Sequence, residues 1–131
     1  MMRYLECIAM LEYLLKKLCN GQITQVPVSV VDEVQTVIVQ LNKKLENENN
    51  HEITVRIRDI LEAVEVVKTT HGMQFLTDTI KTTINSGISE LVSILRLTAF
   101  EFFKTNDFEP TSEIVPIMRD VVNEALMKGV I

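Results

Sequence analysis

The sequence predicts an all-α protein, a compact bundle of five or six helices in one domain spanning residues 1–131. Three observations carry that prediction. Apolar residues recur every three to four positions through most of the chain. Asn, Gly and Pro punctuate those runs at the intervals helices need. No two alternating runs lie close enough to read as a strand pair. The length suits a single core that needs neither disulfide nor metal. Grouped in pairs, the helices would also suit a short stack of three HEAT-like helical hairpins of roughly 40 residues each. No residue-level repeat accompanies that spacing, so the compact bundle is preferred.

The first helix is expected from about Met2 to Cys19, stopped by Asn20-Gly21. Leu5, Ile8, Leu11, Leu15 and Leu18 mark its core face, and Tyr4, Cys7, Met10, Tyr13 and Leu14 widen it. A helix apolar most of the way round is central in a fold or part of an interface. Residues 22–28 form a connector containing Pro27. Ser29 is the expected N-cap of a second helix running to about Glu48, with Asp32 three residues on. Its stripe of Val30, Val34, Val37, Ile38, Leu41 and Leu45 is the cleanest in the chain, and Val39 alone faces away from it.

The Asn-rich turn at 47–50 leads to a third helix, expected from His51 to about Thr70, capped by Asn50 and closed by Gly72. Residues 53–58 alternate with period two as a strand would. The 3.6-residue pattern of Ile53, Ile57, Ile60, Leu61, Val64 and Val67 runs longer and decides for helix. A fourth helix is expected from Met73, with a break or kink at Ser86-Gly87, because glycine disfavours a helix interior by about 1 kcal/mol. Ile88, Leu91, Leu95, Thr98 and Phe102 continue the same phase to about residue 104. After a loop at 105–110, the last helix is expected from about Glu113 to Lys128, capped by Thr111 or Ser112 and stopped by Gly129. Pro116 is tolerable there only in the first turn.

Composition narrows the function. Thirteen basic and eighteen acidic residues give a net charge of −5, which disfavours nucleic acid and anionic membrane as partners. Lys43, Lys44, Arg56 and Arg58 are the only candidate basic patch, and acids interleave with them. A nucleic-acid-associated regulatory or capsid-type protein is therefore the second reading, and it needs those four to cluster alone. Cys7 and Cys19 lie about 18 Å apart if both sit on one helix, too far to bond to each other. No Asn-x-Ser/Thr sequon, secretory leader or membrane-length apolar run is visible, which points to a cytoplasmic, intracellular protein.

No catalytic constellation stands out, so no enzyme activity, cofactor or metal is expected. His51 and His71 sit at opposite ends of one helix, about 30 Å apart, and cannot share a metal within a chain. Asp59, Glu62 and Glu65 are spaced one turn apart, but Arg56, Arg58 and Lys68 make them an ordinary charged face. The oxygen-rich stretch around Asn106, Asp107 and Glu109 lacks the glycine and spacing of a calcium loop.

The feature with most content is apolar excess. The hydrophobic fraction is 47% and mean hydropathy is +0.17. Tyr4, Met10, Leu14, Val39, Val55, Val66, Phe75, Leu97 and Phe103 lie off the main stripes. The first expectation is therefore a non-catalytic protein-interaction or oligomerisation module, acting through a helix face or groove and forming a homo-oligomer. Tyr4, Met10 and Leu14 of the first helix, with Ile117, Val121 and Leu126 of the last, are the expected contact residues, because those two faces are widest. A viral or host regulator with a helix-binding groove fits the same size and class. The chain has no Trp, so the Asn-Trp-Gly-Arg signature of death-suppressor grooves is absent.

Overall fold

The computed structural model describes residues 2–18, 26–105 and 115–129. Five α-helices account for most of them: α1 (Met2–Leu18), α2 (Val30–Leu45), α3 (His51–Thr69), α4 (Asp78–Thr105) and α5 (Val115–Met127). A short 3₁₀ turn, Glu46–Glu48, prolongs α2. α1 packs on α2, α2 on α3, α3 on α4, and α4 back on α1. That closure makes the protein a compact bundle rather than an open stack of hairpins. α5 lies against α4 outside the four-helix ring.

One apolar core fills the ring. Leu11, Leu14, Ile38, Leu41, Ile60, Val64, Ile84, Ile88, Leu91 and Leu95 are fully buried in it. Among the described residues no polar or charged residue is buried. α1 buries Leu5, Cys7, Ile8, Leu11, Leu14 and Leu18 and leaves Leu15 half-buried. The expected stripe is thus buried at every position but Leu15, and Cys7 and Leu14 widen it. α1 has α2 on one side and α4 on the other, and a helix with two neighbours buries the residues between them.

Helix starts divide into two kinds. Asn50 has extended backbone, and its side-chain oxygen accepts from the backbone N–H groups of Glu52 at 3.0 Å and Ile53 at 3.3 Å. This is the expected cap, and it holds α3 as a helix through the alternating stretch at 53–58. Ser29 does not cap α2. Its backbone is already helical and its side chain makes no cap bond. The first N–H groups of α2 (Val30, Val31 and Asp32) instead donate to the carbonyls of Pro27, Val28 and Ser29, so no orphan donor remains for a serine side chain to satisfy.

The segment between α3 and α4 departs from expectation. Residues 73–77 are not helical, and α4 begins at Asp78. Val28 N–H donates to the Gln74 carbonyl at 3.0 Å, and Leu76 N–H to the Val26 carbonyl at 2.8 Å. Pro27 and Phe75 face each other in an isolated antiparallel bridge. Backbone pairing with the α1–α2 connector thus displaces the first turn that periodicity suggests, and the Thr77 hydroxyl accepts from Ile80 N–H to start α4.

α4 then runs through Ser86-Gly87 without a break. The glycine serves packing instead. A Cβ at Gly87 would lie 2.7 Å from Ile60 Cγ1 and 3.3 Å from Cδ1, so its absence lets α3 and α4 approach. Val67, near the end of α3, is buried, and Gly72, at φ +81°, turns the chain after it. Pro116 falls at the second position of α5, where its missing N–H is harmless. Gly129, at φ +73°, ends α5. The expected stop at Asn20-Gly21, the loop at 106–110 and the caps Thr111 and Ser112 lie outside the described residues, as does Cys19.

Candidate functional site

The broad apolar face of α5 is covered along one edge only. Ile117, Met118, Val121, Val122, Ala125 and Leu126 span roughly half the helix circumference at 100° per residue. Val121 and Ala125 are fully buried against the body, and Ile117 and Met118 are half-buried. The other edge faces outward: Val115 is 40%, Val122 37% and Leu126 55% exposed, with Met127 at 83% beyond them. Val115, Met118, Val122, Arg119 and Asn123 line a shallow, apolar depression of about 370 Å³.

A polar clamp holds the inner edge. Arg96 of α4 donates to Glu12 of α1 at 2.6 Å and lies 3.8 Å from Glu124 of α5. Its Nε is buried without a partner. The side chain of Glu124 is 13% exposed, so the clamp sits where α5 meets the bundle. It fixes which edge of α5 points inward, and hence which edge points outward.

The six expected contact residues separate accordingly. Leu126 lies on the outward edge, and Ile117 is half-buried on the opposite, docked edge against the core. Leu14 and Val121 are fully buried and line the core, where no partner reaches them. Leu14, off the main stripe of its helix, is buried because α1 has neighbours on two sides. Met10 is half-buried. Tyr4 is half-buried, and its hydroxyl donates to Glu48 Oε2 at 2.6 Å, while Arg3 also pairs with Glu48. Burial and then the Glu48 carboxylate push the Tyr4 hydroxyl up to about 12. Tyr4 ties α1 to the 3₁₀ turn. Periodicity does not reveal that Val115 and Val122 face outward, since a helix wheel shows an apolar band without showing where the neighbouring helix stops.

Elsewhere the apolar excess is scattered. Val39, Val66 and Phe75 are exposed singly on different elements, while Val55 and Leu97 are half-buried. The Phe103 side chain lies outside the described residues. Burial pushes the Cys7 thiol up to about 11, so at neutral pH it stays protonated and unreactive. Of the four basic candidates, Lys44 pairs with Glu6 at 3.3 Å, and Arg56 with Glu90 at 2.6 Å and Asp59 at 3.1 Å. His51 and His71 are exposed at either end of α3. Among the described residues no group of three His, Cys, Asp or Glu is placed to hold a metal ion, and no helix is long and apolar enough to cross a membrane.

Comparison with known protein families, with curated proteins and with solved structures finds no match for the chain.

Proposed function

We propose that the chain is a non-catalytic helical association module that pairs with a second copy of itself through the outward edge of α5. The observation that carries the reading is the uncovered stripe of Val115, Val122 and Leu126 on a helix whose opposite edge is docked and clamped. A contiguous apolar stripe on a folded surface marks an interaction site more often than scattered single residues do. Charge supports a like partner. Arg119 and Lys128 balance Asp120 and Glu124, so this helix end is neutral on a chain of net charge −5. Two copies meet there without the like-charge repulsion that acidic surfaces would impose.

The magnitude is modest. Burying one large aliphatic side chain fully is worth about 1.5–3 kcal/mol, and these residues have roughly half of that left to gain. Three from each copy sum to about 4–9 kcal/mol, set against an association cost of about 4 kcal/mol or more. A net of about 5 kcal/mol at most corresponds to a dimer with a Kd of about 0.2 mM or weaker.

Sedimentation equilibrium tests the reading, from about 10 µM to about 1 mM, the range where such an affinity is visible. The expected result is a monomer–dimer equilibrium that Val122→Asp with Leu126→Asp abolishes, while the circular dichroism spectrum and Tm are unchanged. A strict monomer across that range overturns the proposal. So does a dimer indifferent to both substitutions, which would place the interface elsewhere.

A further inference from the structure

We draw no further inference here: the strongest candidate, the cleft of about 520 Å³ beside α3 and α4 bordered by Arg56, Ser89, Ser93 and Lys128, carries nothing, because Arg56 is already held by Asp59 and Glu90 and among the described residues no buried polar side chain points into it to name a ligand.

Discussion

α4 and α5 are both rich in aliphatic residues, and the bundle treats them differently. α4 has α1, α3 and α5 around it and buries Ile84, Ile88, Leu91, Val92, Leu95, Ala99 and Phe100. α5 leans on α4 and buries Val121 and Ala125, leaving comparable side chains in solvent. Apolar content therefore does not decide burial. The number of neighbours a helix acquires decides it, and that depends on where the helix falls in the assembly of the whole chain. The same difference predicts an uneven distribution of stability, with α5 opening before the four-helix ring.

The sharpest way to break this contrast is to remove apolar volume from each helix. Leu91→Ala, at a fully buried site in α4, should destabilise the protein by about 2–5 kcal/mol through lost burial and the cavity left behind. Val122→Ala on the outer edge of α5 should change the stability of the monomer by about 0.5 kcal/mol or less. Urea denaturation of both variants, in dilute solution where association is negligible, measures the two effects. Equal losses would show that the outer edge of α5 is covered within the single chain.

Arg96 sharpens the comparison at the boundary between the two regions. Arg96→Met keeps much of the aliphatic stem but leaves Glu12 and the mostly buried Glu124 without their shared cation. Leaving a partly buried charged group unpaired costs about 1–3 kcal/mol. The loss should fall on α5 first, because α1 keeps its apolar contacts with α2 and α4. Amide hydrogen exchange should rise about tenfold in α5 with smaller change in α3. A uniform rise across all helices would mean that α5 unfolds only with the whole bundle.

How much of this was legible beforehand varies with the kind of interaction. The helices and their polar connections follow from periodicity and punctuation, which are local: Asn50 and Gly72 sit where their side chain or its absence is needed within a few residues. The misreadings involve distant partners. Residues 74–76 pair with residues nearly fifty positions earlier, and no helix wheel contains that information. Gly87 reads locally as a breaker, yet Ile60 on another helix explains it. Gly87→Ala tests that account. Alanine gains about 1 kcal/mol of helix propensity inside the continuous α4, so a glycine with no packing role would leave the variant more stable. Overpacking against the buried Ile60 opposes the gain by about 1–3 kcal/mol, and a net loss of about 1 kcal/mol is expected. The outward edge of α5 was half legible. The apolar band was visible, but Leu14 and Val121 were indistinguishable from Leu126 until their neighbours were placed.

The two helix starts give the smallest and cleanest comparison. Asn50 and Ser29 are both residues favoured at N-caps, and each immediately precedes its helix. Asn50 accepts two backbone N–H bonds, whereas the backbone carbonyls of Val28 and Ser29 take the Val31 and Asp32 N–H groups that the Ser29 side chain would have served. Asn50→Ala should therefore lose about 1 kcal/mol, and Ser29→Ala only a few tenths, in thermal or urea unfolding. The residue type is equivalent in the two places and the preceding backbone is not. A loss at Ser29 as large as that at Asn50 would mean that α2 starts from an extended backbone, with its first donors turned to the serine hydroxyl.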